Sequence, residues 1–202
     1  ELNKHYRLVA MDMLGFGFSA KPCPHDYRIV EQADLCEALV SHLNLQEFHV
    51  LAHDYGDTVA QEMLARQNVQ QGAGRWLSCL FLNGGLFPET HNALLVQRLL
   101  LGRLGFLVRH AFSKASMRKS FDRVFGPDTP TSDEELNAFW DLFTLDNGQR
   151  NLHRLIHYMT DRRINRERWL LALQQACCPI GLINGSVDPV SGEHMVARFE
   201  EL

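Results

Sequence analysis

Phe48-His49-Val50-Leu51-Ala52-His53-Asp54-Tyr55-Gly56-Asp57-Thr58-Val59-Ala60-Gln61-Glu62-Met63-Leu64 is the stretch from which the fold is read. Phe48 to Ala52 is an apolar run of strand length, and Thr58 to Leu64 patterns as a helix. A reactive side chain between small residues at a strand-to-helix turn is the arrangement of a nucleophile elbow. The usual apex is serine; here it is the carboxylate of Asp54, flanked by Ala52 and Gly56. Such a turn is sharp and brings backbone close to its neighbours, hence the small flanks. An aspartate there can attack carbon and form an ester with the protein. Taken alone, the segment is better read as an ordinary helix N-cap, with Asp54 accepting bonds from the first free amides. The rest of the chain reverses that order.

Working outward, Tyr6 to Met11 reads as a short buried strand entered directly from Glu1-Leu2-Asn3-Lys4 and ending at Asp12. A loop with Gly15, Gly17 and Ser19 follows, closed by Lys21-Pro22. Leu35, Leu39 and Leu43 recur at four-residue spacing, which predicts an amphipathic helix from Val30 to Leu43. Phe48 to Ala52 is the second strand, Thr58 to Arg66 the elbow helix, and Leu77 to Leu82 a third strand ended by Asn83-Gly84-Gly85. Strands alternating with helices imply a parallel sheet with right-handed crossovers. From Leu86 to Gln175 the pattern is helical, with Pro127 and Pro130 marking a connection and Ser132-Asp133-Glu134-Glu135 opening a capped helix. The strand rhythm resumes at Pro179 to Asn184, before Gly185-Ser186-Val187-Asp188-Pro189. The expected fold is α/β, a mostly parallel core in residues 1–85 and 176–202 with a helical cap inserted at 86–175. Such a cap lies over the carboxyl ends of the strands, where open α/β sheets bind ligands. Both ends read as cut, so the chain is expected to be a fragment lacking N- and C-terminal parts of the core.

Composition narrows the function. The 202 residues, 46% hydrophobic, can bury a real core. A formal net charge of −4 offers no basic face, and nucleic acid is not an expected partner. Cys23, Cys36, Cys79, Cys177 and Cys178 are odd in number without C-x-x-C spacing, which fits buried thiols in a reducing compartment rather than a disulfide framework or zinc site. The leucine-rich stretch 94–110 is interrupted by Gln97, Arg98, Arg103 and Arg109, and so is too polar to span a membrane. A helix covering a pocket and a basic helix on a membrane surface share this pattern; the first is the expectation. His153 and His157, at i, i+4, could share a helical face, but with no third ligand in a fitting motif they read as packing, and neither metal nor cofactor is expected.

Asp188 follows a strand, and Asp-Pro is common in turns. Its functional reading is the carboxylate that orients a catalytic histidine. The order Asp54 then Asp188, with a cap between, matches the nucleophile-then-acid order of α/β-hydrolases. Asp12-Met13-Leu14-Gly15-Phe16-Gly17-Phe18-Ser19 resembles the D-x-x-G-x-G-x-S loop of that superfamily, and His53-Asp54-Tyr55-Gly56 resembles the H-D-W-G of epoxide hydrolases and haloalkane dehalogenases. The run His53 to Glu62, the run Asn83-Gly84-Gly85-Leu86-Phe87-Pro88-Glu89-Thr90-His91, Val124-Phe125-Gly126-Pro127 and Asp188-Pro189-Val190 resemble the mesoderm-specific transcript family and its bacterial-type relatives. The resemblance implies Asp54 as nucleophile, Asp188 as triad acid, and the Tyr55 backbone N–H as one oxyanion donor. His53, Asp57 and Tyr158 are pocket candidates. His53 reads better as a wall residue than as a catalytic one. Asp57 stands where usual elbows carry glycine, and would either cap the helix or crowd Asp54 and raise its pKa. Tyr55 replaces the tryptophan of a dehalogenase halide site, and Tyr158 is the one cap tyrosine where epoxide hydrolases use two.

By the same resemblance, the loop giving a second oxyanion donor precedes residue 1 and the catalytic histidine lies beyond Leu202; His194 is too near Asp188 to serve. The leading expectation is a hydrolase working through an ester at Asp54 on a small, largely apolar molecule, with the fragment alone inactive. The alternative is a non-catalytic hydrolase-like binding or regulatory protein. A phospho-acceptor domain is ranked low, since no lysine follows Ile183 and the cap has no role there. A dinucleotide site fails because Ala20 stands in place of the third glycine of G-x-G-x-x-G. A cytoplasmic location is expected, with the endoplasmic reticulum membrane the alternative for a eukaryotic-type homologue; membrane association would then come from the parent protein.

Overall fold

The computed structural model describes residues 1–102, 105–108, 112–125, 129–186 and 188–202. Arg103, Arg109, Gly126, Pro127 and Val187, named above, lie outside the described residues. Three strands, β1 (Glu47–His53), β2 (Arg75–Leu82) and β3 (Ile180–Ile183), form a parallel sheet in that order. Their ends are level: His53 pairs with Leu82 and Leu82 with Ile183. The pairing runs one step further, with the Asp54 amide donating to the Leu82 carbonyl (3.2 Å) and the Asn83 amide to the Ile183 carbonyl (3.2 Å). Whatever follows each strand therefore emerges at one sheet edge.

Helix α1 (Ile29–His42) precedes β1, α2 (Tyr55–Asn68) joins β1 to β2, and between β2 and β3 every regular element among the described residues is helical. These are α3 (Leu95–Leu101), α4 (Gly105–Val108), α5 (Lys114–Val124), α6 (Asp133–Thr144), a 3-10 stretch Leu145–Asn151, α7 (Leu152–Leu155), α8 (Tyr158–Ile164) and α9 (Arg166–Gln174). The chain ends in α10 (Glu193–Glu200). Ser132 accepts from the Glu135 amide and Glu135 from the Ser132 amide, the reciprocal cap expected for α6.

The core is built around α2, in which every residue from Asp57 to Ala65 is buried. A helix buried all round must be covered on every side, and here β1, β2, α1, α8 and α9 supply the cover. Trp76, Cys79 and Phe81 of β2 and Ala52 of β1 belong to the core, while Glu47, His49, Leu51 and His53 are exposed. Polar residues inside α2 need partners, and most find one. Gln61 Nε2 donates to the Leu86 carbonyl (3.1 Å). Glu62 accepts from Trp169 Nε1 (2.8 Å), Arg66 Nε (3.0 Å) and Arg168 Nε (3.0 Å), tying α2 to α9.

Four expectations are corrected. Tyr6 to Met11 forms no strand: Tyr6, Leu8 and Val9 are exposed, and the Tyr6 ring stands edge-on to His49 of β1 (5.7 Å). An apolar run becomes a strand only when another backbone completes its ladder, and none among the described residues does. Leu2–Lys4 is a 3-10 turn rather than a lead into a strand. In α1 the inward face is Ile29, Gln32 and Ala33, not the leucine stripe; Leu35 is 38% exposed. The stretch from residue 94 is not one helix, since α3 ends at Leu101 with Gly102 extended. Leu100 is buried while Leu95 and Leu99 are exposed. Among the described residues, no helix is long and apolar enough to cross a membrane.

Burial alone disfavours a charged Glu62, but hydrogen bonds from Arg168, Trp169 and Arg66 outweigh it and hold the carboxyl below the ordinary glutamate value. Its stabilisation is thus present above pH 4.5 and lost as pH falls through the lowered folded value. Glu62→Ala is expected to cost about 3–5 kcal/mol in urea unfolding at pH 7, by leaving buried donors unpaired. The difference from the unsubstituted protein should shrink below pH 4.5. A loss below about 1 kcal/mol, the worth of an exposed pair, would contradict this role.

Candidate active site

Asp54 terminates β1 and opens α2 at φ +50° and ψ −108°. A non-glycine residue held there stores about 1–3 kcal/mol of strain, as functional turns often do. Its side chain makes no capping bond to α2, so the N-cap reading fails and the carboxylate is left for other work. The Tyr55 amide opens the helix, where an N–H has no intrahelical partner. Asp54 and Asp188 follow parallel strands that end level, and Asp188's charge is felt at Asp54. Asp54 is exposed as a residue, yet the protein packed around its carboxyl raises the pKa above the ordinary range. Arg162 and His53 pull it down, and Asp188 adds to the rise.

Asp188 is held by four donors. Oδ1 accepts from the Val190 amide (2.8 Å) and the Ser191 amide (3.3 Å), and Oδ2 from Asn83 Nδ2 (3.2 Å) and Ser191 Oγ (3.2 Å). Asn83 Oδ1 also accepts from the Gly185 amide (3.1 Å), so this asparagine clamps the loop after β3 to the end of β2. No histidine among the described residues bonds to Asp188; His194 is exposed and faces the Val190 carbonyl.

The Tyr55 ring lies between Phe16 (5.2 Å) and Tyr158 (5.4 Å). Phe16 is positioned by the glycine loop, which Gln32 holds through two bonds, Leu14 N to Oε1 (3.0 Å) and Nε2 to Leu14 O (2.8 Å). Gly17, at φ +48°, leaves room for the Asp12 carboxylate, which accepts from the Phe18 amide. Tyr158 is buried, and its hydroxyl pKa is pushed up to about 12 by burial. His53 is exposed.

Asp57 does not cap α2, and its like-charge interaction with Asp54 raises its own pKa. It is fully buried, and its oxygens make no hydrogen bond of ordinary length and angle. Burial, with a further push from Asp54, raises its pKa to about 8, while the backbone at Leu82 and Gly84 and the charge of Arg162 oppose the rise. The rise at Asp54 comes chiefly from its own burial. The crowding attributed to Gly56 belongs to Gly84 instead. A Cβ at 84 would stand 1.9 Å from Asp57 Oδ2, one at 85 would stand 2.5 Å from Arg162 Nη1, and one at 56 would meet only Met13 at 3.7 Å.

Arg162 escaped sequence reasoning. It is 2% exposed, donates to Thr58 Oγ1 (2.5 Å) and lies 5.0 Å from the Tyr158 ring centroid. Its i, i+4 spacing from Tyr158 was a usable signal, but the chain also offers Arg163. Asp161 beside it accepts from the Ile29 amide (2.9 Å) and pairs with Arg28 (2.5 Å), fixing α8 against α1. His153 and His157 do not share a helix, because α7 ends at Leu155. Among the described residues no three His, Cys, Asp or Glu side chains gather as a metal site. All five cysteines are unbridged, but only Cys79 is buried, and Cys23 and Cys177 are exposed.

A sequence profile of the alpha/beta hydrolase fold matches residues 1–202, and the chain belongs to that family. It is 42% identical over 191 residues to mesoderm-specific transcript homolog protein of Bos taurus, covering 92% of this chain and 57% of that protein. It is 34% identical to putative hydrolase LipZ of Mycobacterium tuberculosis, covering 96% of this chain and 67% of that protein. The chain thus spans a little over half the length of the mesoderm-specific transcript relatives. Haloalkane dehalogenase DbeA from Bradyrhizobium elkani superposes with a TM-score of 0.68 at 19% identity, covering 94% of this chain and 67% of that one. Epoxide hydrolase CorEH gives 0.61 at 20% identity, covering 87% and 64%.

Because the folded pKa of Asp57 lies above its unfolded value of 3.8, folding is favoured while it is protonated and loses that advantage as pH rises from about 4 towards 8. Asp57→Asn keeps shape and neutrality. Its stability relative to the unsubstituted protein is expected to grow over that window by up to about 1.4 kcal/mol per pH unit. Parallel pH–stability curves in chemical denaturation would refute a neutral Asp57.

Proposed function

We propose that the full-length protein is a hydrolase in which Asp54 attacks an electrophilic carbon of a small, largely apolar molecule and forms an ester. The observation that carries this is the strained elbow: a carboxylate at positive φ, not engaged by its own helix, at the sheet edge shared with Asp188. Hydrolase relatives and hydrolase-fold neighbours support the class. In this reading Asp54 oxygen bonds to the substrate carbon as the leaving atom departs with its electron pair. The Tyr55 amide, with a second donor outside this chain, stabilises the tetrahedral anion when water attacks the ester carbonyl. Asp188 orients a histidine from outside this chain that takes the proton of that water. Its four donors fix its direction. Tyr158, over Tyr55, is the cap residue placed to contact substrate. No cofactor is required.

The domain division is part of the proposal: core at 1–85 and 176–202, cap at 86–175, with α9 anchoring the cap on α2. A reducing, cytoplasmic setting accords with the unbridged, partly exposed thiols.

In the full-length protein, Asp54→Asn is expected to fold and bind normally while turnover of haloalkane, epoxide or ester probes falls by about 10³-fold or more. The 202 residues alone should show negligible turnover of the same probes. Activity retained in Asp54→Asn would leave the non-catalytic binding protein as the better account.

A further inference from the structure

Once folded, the leucine-rich stretch from residue 94 hides little of its apolar surface: of its described large apolar residues only Leu100 is buried. Helices α3 and α4 pack on each other, and both contact α7. The approach is close, because a Cβ at Gly105 would collide with the Leu100 carbonyl. Four large apolar residues of these two helices are left outside. Leu95 is 73% exposed, Leu99 50%, Phe106 46% and Leu107 54%. Single apolar residues on a surface need no explanation, but four on two touching helices form a patch of the kind that marks an interaction site.

Charge decides what such a patch meets. Residues 90–121 contain six Lys or Arg and no Asp or Glu, in a chain whose formal net charge is −4. Of the described cations there, Lys114 bonds to Asn137 and Arg118 pairs with Asp133, while Arg98 and Lys119 are exposed. Arg98 lies on α3 between Leu95 and Leu99. A second copy of this face would bring like charges together, which opposes pairing. Leu and Phe flanked by Lys and Arg, with acids absent, instead match the boundary of a bilayer. There apolar side chains enter the acyl region and cations meet anionic headgroups. We propose that the α3–α4 face docks on the surface of a bilayer containing anionic phospholipids. Leu95, Leu99, Phe106 and Leu107 enter the boundary between headgroups and acyl chains, and Arg98 keeps its guanidinium at headgroup level on its aliphatic stem. The remainder of the chain carries the negative balance, which opposes other orientations on the same surface. This docking does not rest on Asp54 being a nucleophile.

The test is co-sedimentation of the full-length protein with vesicles of phosphatidylcholine, with and without phosphatidylserine. Binding is expected to the vesicles that contain phosphatidylserine, to weaken as salt rises, and to fall near background on phosphatidylcholine alone. Leu95→Gln and Leu107→Gln together should weaken it by roughly tenfold or more, and Arg98→Glu by roughly fivefold or more. All three residues are exposed, so the fold is expected to survive, as circular dichroism would verify. A Leu95→Trp variant should gain fluorescence that brominated acyl chains quench. No binding, equal binding to both vesicle types, full binding in the double variant, or an unquenched Trp at position 95 would each overturn the proposal. Self-association that the double substitution abolishes, without vesicle binding, would assign the face to a second copy and equally overturn it. Sedimentation reads no turnover, so failure of the hydrolase reading and failure of this one are separable.

Discussion

The structure depends on α2 being buried on every side. An ordinary amphipathic helix can turn its polar residues to water; this one carries Asp57, Thr58, Gln61 and Glu62 inside the core. Each must be answered by a different neighbour. Gln61 is answered by the loop after β2, Glu62 by α9 and Thr58 by Arg162 of α8. Those obligations fix the loop after β2, α8 and α9 against α2. Asp57 alone of the four receives no hydrogen bond of ordinary geometry, and of the four it is the nearest to the elbow.

The same constraint shapes the candidate site. A helix that starts in the core places its first residue, with unpartnered amides, beside a carboxylate held at positive φ. Sheet register then brings Asn83 and the loop bearing Asp188 to the same edge, and Asn83 bonds both. Burial raises the pKa of Asp54, and the charges of Arg162 and His53 oppose the rise. Arg162 is buried against Thr58 and the Tyr158 ring, and Asp161 beside it pairs with Arg28 and accepts from the Ile29 amide at the start of α1.

What was legible in the sequence was what local pattern controls. The strand ending at Asp54, the helix behind it and the Ser132–Glu135 cap depend on neighbours three or four residues away, and all three formed. Tyr6 to Met11 failed because a strand is a property of two segments, and apolarity in one says nothing about the other. The leucine stripe of α1 failed because the buried face carries the small Ala33 and Gln32, whose side chain bonds the Leu14 backbone of the glycine loop, in place of larger apolar residues. Asp54, Tyr55 and Asp188 were nameable because they sit in contiguous motifs. Arg162 was not, because its burial depends on the helix break at residues 156–157 and on glycines almost eighty positions earlier.

The most direct test of the central claim is the isotopic fate of the carboxylate. One turnover of the full-length protein in H₂¹⁸O, followed by mass analysis of the peptide bearing Asp54, distinguishes ester formation from direct attack of water. If Asp54 forms the ester, water attacks its carbonyl carbon, one ¹⁸O enters the Asp54 side chain, and the first product carries the aspartate's original oxygen. Label appearing in the first product, with Asp54 left unlabelled, would contradict the account.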